Sequence, residues 1–253
     1  MSVAEADWRS FTPRADEYAD RVIAITGATG GLGRALAQAV AAHGGEVLLL
    51  GRGVKALESV HAAIEASGGR ASLAPLDLEQ ALAKDYDAVA AAIDTRYGRL
   101  DGLVHCAALL GTLAPAEHYD VPGWFRVMHV NVTAAFALTQ VLLPLLRRAA
   151  AASLVFTSCE AAVRPRAYWG AYGASKAATD NLMGVLADEF ENEGRVRVNA
   201  IDPGAMRTRL RRAAFPSEDA TQLPEPAARL APLLWLLADA SRGFTGRRLV
   251  VAG

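Results

Sequence analysis

Apolar positions along this chain fall into two alternating periods. Short, nearly continuous apolar runs recur at Arg21–Thr26, Glu46–Leu50, Ala71–Leu76, Leu100–Cys106, Ser153–Thr157, Arg195–Ile201 and Arg247–Val251, each bounded by glycine, polar or turn residues. Runs of that length without strict alternation fit strands covered on both faces. Between them, Arg34–His43, Lys55–Ser67, Glu79–Tyr97, Tyr119–Arg148, Tyr172–Glu193 and Glu225–Ala238 carry apolar residues at helical spacing. Strand–helix alternation predicts βαβ units with right-handed crossovers and helices on both faces of a parallel sheet. A closed barrel needs eight such pairs. The seven runs here predict a doubly wound α/β fold with a seven-stranded parallel sheet instead.

The stretch 206–226 has no clear period, several arginines, and Pro216, Pro224 and Pro226. A long irregular segment inside a compact domain is commonly functional, and this one is expected to form a substrate lid. Residues 1–20 read as an N-terminal extension and 21–253 as one domain, with no repeat, low-complexity tract or linker dividing it.

Composition narrows the class. The 253 residues are 52% hydrophobic and 21% charged, which excludes disorder, collagen-like chains and disulfide scaffolds. A formal net charge of −1 argues against a nucleic-acid binder that works by bulk positive charge. Two cysteines, Cys106 and Cys159, point to a reducing, cytoplasmic setting. The acidic, mixed residues 1–20 do not resemble a signal peptide. Apolar windows such as Val141–Leu146 and Leu230–Ala238 are short for a bilayer, so no membrane partner is expected. The five histidines lack metal-ligand spacing, so no metal is expected either. Arginine is the usual cation, and Lys55, Lys84 and Lys176 are the three lysines.

Candidate chemistry begins where the first strand runs into Thr26-Gly27-Ala28-Thr29-Gly30-Gly31-Leu32-Gly33 and then a helix. Glycines there permit a tight turn and let backbone N–H groups approach a pyrophosphate at the helix N-terminus. A dinucleotide site of the Rossmann type is expected, formed by Gly27, Thr29, Gly30, Gly31, Leu32 and Gly33. The second strand ends Leu49-Leu50-Gly51-Arg52, without the acidic side chain that would hold ribose hydroxyls in an NAD enzyme. Arg52 can pair with a 2′-phosphate, which favours NADP over NAD.

Further on, Tyr172-Gly173-Ala174-Ser175-Lys176 places a phenol and an ammonium four residues apart, one helical turn from each other. A neighbouring ammonium is expected to lower the phenol's pKa and so make it a usable acid and base at neutral pH. The lysine can also hold the nicotinamide ribose.

The TGxxxGxG turn and the YxxxK pair resemble the short-chain dehydrogenase/reductase family, and the resemblance runs from about residue 20 to the end. It implies that Asn131, in the long helix, positions a water for proton relay behind the Tyr–Lys pair. It places Asp77 and Leu78 at the adenine and Cys106, Ala107 and Ala108 along the cofactor. Asp202-Pro203-Gly204-Ala205-Met206-Arg207-Thr208 resembles the family's PGxxxT stretch, which implies cofactor contacts from Pro203, Gly204, Met206 and Thr208. Asp77 can equally serve as the N-cap of the next helix. Leu109-Leu110-Gly111, Ser153–Ser158, Trp169–Tyr172 and Ala214-Phe215-Pro216 are similar to a bacterial subgroup of poorly characterised oxidoreductases of that family. The implied activity is hydride transfer between NADP and a small carbonyl compound or secondary alcohol. A homodimer or homotetramer, built from the apolar faces of Tyr119–Arg148 and Tyr172–Glu193, is implied as well.

The chain departs from the family's pattern at both cysteines. Thirteen residues before the tyrosine the family usually has a serine that hydrogen-bonds the reacting oxygen, and Cys159 stands there. A thiol is a weak donor, and loss of one positioned donor slows catalysis by roughly 10²–10³. Ser158 is one residue out and faces the opposite way on a strand. The family's NNAG reads His105-Cys106-Ala107-Ala108, and the Ala108 methyl crowds the cofactor. These replacements sustain an alternative: a dinucleotide-binding sensor or scaffold with little or no turnover. Cys106 and Cys159 end neighbouring strands and could form a redox pair, although two small buried hydrophobes is the simpler reading. The arginines at 164, 166, 207, 209, 211 and 212 either meet an anionic substrate or solvate loops, the second being the plainer expectation.

Overall fold

The computed structural model describes residues 8–251. In chain order it runs β1 (Val22–Thr26), α1 (Gly31–Ala42), β2 (Glu46–Gly51), α2 (Val54–Ala66), β3 (Arg70–Pro75), α3 (Ala83–Tyr97), β4 (Gly102–His105), α4 (Val121–Met128), α5 (Ala134–Arg148), β5 (Ala152–Thr157), α6 (Gly170–Glu189), β6 (Val196–Asp202), α7 (Arg209–Ala214), α8 (Ala231–Leu237) and β7 (Arg248–Val250). All seven strands pair in parallel in the order β3-β2-β1-β4-β5-β6-β7. The order reverses between β1 and β4, and a crevice opens at the carboxyl ends of strands at such a switch point.

Every residue of β1, β4, β5 and β6 is buried, which is why these strands read as continuous apolar runs. Successive side chains enter opposite cores. Ala24, Leu103, Leu154 and Phe156 pack with Leu138, Leu142 and Leu145 of α5 and with Met183 and Leu186 of α6. Ile23, Ile25, Val104 and Val155 pack with Leu36 and Val40 of α1, Leu57 of α2, and Leu233 and Trp235 of α8.

The N-terminal extension joins the second core. Trp8 and Tyr18 are buried in it, and the Tyr18 hydroxyl donates to Leu234 O at 2.7 Å. Other boundaries also differ from the reading of periods. The helix expected from Glu79 starts at Ala83, because Asp77 builds a turn instead: its carboxylate accepts Glu79 N at 3.0 Å and its carbonyl accepts Gln80 N and Ala81 N. Asp77 is therefore not the N-cap of that helix. Pro232 sits in the first turn of α8, so the expected helix over 225–238 divides into a 3₁₀ turn, Pro226–Arg229, and α8. The segment 206–226 is less irregular than its sequence, since it contains α7 and a 3₁₀ turn at Ala220–Gln222.

Helices α4 and α5 join through a π-helical turn, His129–Thr133, into one helical run, Val121–Arg148. This corrects the expectation that no apolar segment reaches bilayer length. The run has 28 residues, and its most apolar 18-residue window has a mean hydropathy of 1.5 with half of that window buried. Leu138, Leu142 and Leu145 seat it against the sheet, so burial in the fold accounts for its apolar character.

Candidate active site

A cleft of about 1140 Å³ lies at the switch point, lined by the glycine turn, by Tyr172 and by residues of the segment 206–226. Close packing explains the glycines. Gly27 has φ +64°, and a Cβ on it would stand 2.9 Å from Ala107 Cα. A Cβ on Gly33 would come within 2.4 Å of Gly27 O, and one on Gly31 within 2.8 Å of Thr208 Cγ2. The turn, the loop after β4 and the segment 206–226 thus meet with no room for a methyl group. Thr26 Oγ1 fastens the first two by accepting Cys106 N and Ala107 N, both at 3.1 Å. Helix α1 begins at Gly31 with no side-chain cap, which leaves its first N–H groups for a ligand.

Thr29, Leu32, Leu78, Ala108, Pro203, Gly204 and Met206 all line the same cleft. Arg52 lies at its rim, 68% exposed, with Nη1 3.8 Å from Glu79 Oε2. The periods did not single out Glu79. Arg126 Nε donates to it at 2.8 Å, and Arg126 first and Arg52 second hold its carboxyl below the usual range. Thr208 caps α7, accepting Arg211 N at 3.1 Å.

Helix α6 starts two residues before Tyr172, so Tyr172 and Lys176 fall on successive turns, both buried. Lys176 Nζ lies 5.8 Å from the Tyr172 ring centre and donates to Thr157 O at 2.7 Å. The Cys159 thiol lines the cleft with Tyr172 and acts electrostatically on its phenol. Ser158 turns away and donates to Asp180 Oδ2 at 2.7 Å. Burial acts on both members of the pair: it pushes the phenol up, with Cys159 adding to the effect, and pushes the Lys176 ammonium down. The phenol is therefore raised where a lowering by the ammonium was expected, and its burial is the leading cause.

Asn131 sits on the π-helical turn. Its Oδ1 accepts Leu109 N at 2.7 Å, and its Nδ2 donates to Leu109 O and to Ser175 Oγ, both at 2.9 Å. The amide thus holds the loop after β4 against α6, and its side-chain donors are engaged by protein. Cys106 and Cys159 are free thiols, with burial pushing Cys106 up to about 12. Among the described residues no group of three or more His, Cys, Asp or Glu side chains is placed to hold a metal.

Arg248 of β7 was missed by sequence reasoning. Its Nε reaches Ser158 Oγ at 3.1 Å and Asp180 Oδ2 at 3.0 Å, and its Nη2 reaches Cys159 O at 2.9 Å and Asp202 Oδ2 at 3.0 Å. No local motif marks such a residue, since its partners lie 46 to 90 positions away.

A family model described as short chain dehydrogenase matches residues 21–219. An uncharacterised oxidoreductase of Escherichia coli K12, YciK, is 45% identical over 237 residues, covering 93% of each chain. A solved short chain dehydrogenase of Shigella flexneri complexed with NADP superposes with a TM-score of 0.91 at 44% identity, over 94% of this chain and 99% of that one. One from Escherichia coli CFT073 complexed with NADPH superposes with a TM-score of 0.90 at 45% identity, over the same shares.

Proposed function

Because the chain belongs to the short chain dehydrogenase family, and is an oxidoreductase by that membership, we propose that it binds NADP and interconverts a carbonyl compound and its alcohol. The carrying observation is the buried Tyr172–Lys176 pair, Nζ 5.8 Å from the ring centre, in the same cleft as the glycine cradle and the Cys159 thiol. The cradle fits a dinucleotide: packing admits only glycine at Gly27, Gly31 and Gly33, and α1 starts at Gly31 without a side-chain cap, leaving its first N–H groups for a pyrophosphate. Gly51 adds no acid at the second strand's end, and Arg52 supplies a cation for a 2′-phosphate, aided by the tie of Glu79 to Arg126. The two relatives carrying NADP and NADPH support the same preference.

NADP when bound supplies or takes up the hydride. Tyr172 gives its hydroxyl proton to the carbonyl oxygen in reduction and takes it back in oxidation, and Lys176 orients the ribose. Cys159 is the weak donor beside the reacting oxygen. Asn131 fixes Leu109 and thereby the cleft wall. Asp77 and Leu78 border the adenine, and Thr29, Gly30, Leu32, Cys106, Ala107, Ala108, Pro203, Gly204, Met206 and Thr208 complete the cofactor bed. The lid over 206–226 closes the substrate end, and the protein works as a cytoplasmic homodimer or homotetramer.

A second reading, a dinucleotide sensor without turnover, is favoured by the thiol at position 159. Calorimetric titration with NADP and NAD, followed by NADPH oxidation across a panel of ketones and aldehydes, separates the readings. Binding of NADP with Tyr172-dependent turnover is expected. Failure to bind either dinucleotide overturns the proposal, and binding without turnover, even in Cys159→Ser, selects the sensor.

A further inference from the structure

The arginines around the lid differ in what neutralises them. Arg164 Nη1 lies 3.1 Å from Glu160, Arg207 Nη1 2.6 Å from Glu225, and Arg211 binds Glu218 through Nε and Nη2 at 2.7 and 2.6 Å. Each of these holds a loop together with its own carboxylate. Arg166 is held by rings instead. Its guanidinium carbon stands 5.6 Å from the centre of the Trp169 ring and 5.4 Å from that of Phe215. Arg211 braces Phe215 at 3.7 Å. A guanidinium stacked on aromatic faces keeps its N–H edge available, and that edge matches a carboxylate or phosphate with two parallel hydrogen bonds.

The stack also joins the reacting group. Trp169 lies 5.8 Å, centre to centre, from Tyr172, and Arg166, Trp169, Tyr172 and Phe215 all line one cleft. A ligand whose carbonyl meets the Tyr172 hydroxyl therefore runs along Trp169 and Phe215 and ends at Arg166. Resting on the oxidoreductase reading above, we infer that Arg166 is a specificity-determining residue that reads an anionic group on the substrate. The substrate class is an apolar or aryl carbonyl compound with an acid group a few bonds from the carbonyl.

The test compares benzoylpropionate with its uncharged methyl ester by calorimetry, on the NADP-loaded protein and on the dinucleotide-free protein. NADP affinity, measured first, reports on the oxidoreductase reading alone. For the wild type the acid is expected to bind roughly tenfold or more tightly than the ester, the size of one charge-assisted contact. Arg166→Gln should erase that preference and Arg166→Lys should retain part of it. Arg164→Gln, whose guanidinium already faces Glu160, should keep the preference in full. Equal binding of acid and ester, binding of neither, or an unchanged preference in Arg166→Gln overturns the inference. So does an equal loss in Arg164→Gln, which would reduce the effect to general positive charge.

Discussion

Ser158 and Cys159 are neighbours on the chain but serve different surroundings. The Ser158 hydroxyl is taken up by Asp180 and Arg248, whereas the Cys159 thiol acts on the Tyr172 phenol across the cleft lining. With Ser158 engaged elsewhere, the proposed polarising donor is the Cys159 thiol. A hydroxyl there would be a stronger donor toward the reacting oxygen. Cys159→Ser is expected to raise kcat for ketone reduction by roughly tenfold or more, read from NADPH consumption at saturating ketone. An unchanged or lower kcat in a variant that still binds NADP would show that the thiol is not a handicap. Asn131 makes a second case at this scale. Its amide satisfies both backbone groups of Leu109, so Asn131→Leu strands a half-buried N–H and C=O and leaves the buried Ser175 hydroxyl without its donor. The expected loss is about 2 kcal/mol or more of unfolding free energy, measured by urea denaturation. A variant of wild-type stability would mean that the loop finds other partners.

Helix α6 carries Tyr172, Lys176 and Asp180 at successive four-residue steps, on one stripe. The groups facing the Lys176 ammonium are the thiols of Cys106 after β4 and Cys159 after β5, Asp202 at the end of β6, and Asp180 on its own helix. Burial lowers the ammonium's pKa and Asp180 opposes that lowering. Neutralising Asp180 therefore removes support for the charged form and lowers the pKa further. In Asp180→Asn the high-pH limb of the reduction rate should move to lower pH, seen in a kcat profile against pH. A role confined to packing would depress the plateau and leave the limb in place. Tyr172 runs the other way: burial holds the phenol protonated through neutral pH, which suits proton donation in reduction. These contrasts mark what was legible. The glycine turn and the Tyr–Lys pair are local patterns, read from spacing alone. The clamp of Arg248 on Ser158 and Asp180 spans 90 and 68 positions, so nothing near Arg248 in the chain announces it. Asp77 shows the intermediate case: its side chain does order a local turn, but the turn delays the helix rather than capping it.

At the scale of the molecule, the same sheet explains both burial and what is left outside. The run Val121–Arg148 seats Leu138, Leu142 and Leu145 in the core, yet Val121, Phe125 and Phe136 are 60%, 66% and 43% exposed. On α6, Val185 is 47% exposed while Met183 and Leu186 are buried. Periodicity alone marked both helices as apolar, but it could not say how the apolar positions divide between a core and an outer surface. Large apolar side chains left outside a core are candidates for contact with a partner. The homo-oligomer proposed above would give these side chains cover. Sedimentation equilibrium should find a dimer or tetramer, and Phe136→Asp and Val185→Asp should each shift the population toward monomer. Both substitutions leave the buried faces of their helices untouched, so the monomer should keep its far-ultraviolet circular dichroism. A wild-type chain that sediments as a monomer at micromolar concentration would remove the oligomer and leave these side chains as isolated surface positions, which single exposed apolar residues can be without consequence.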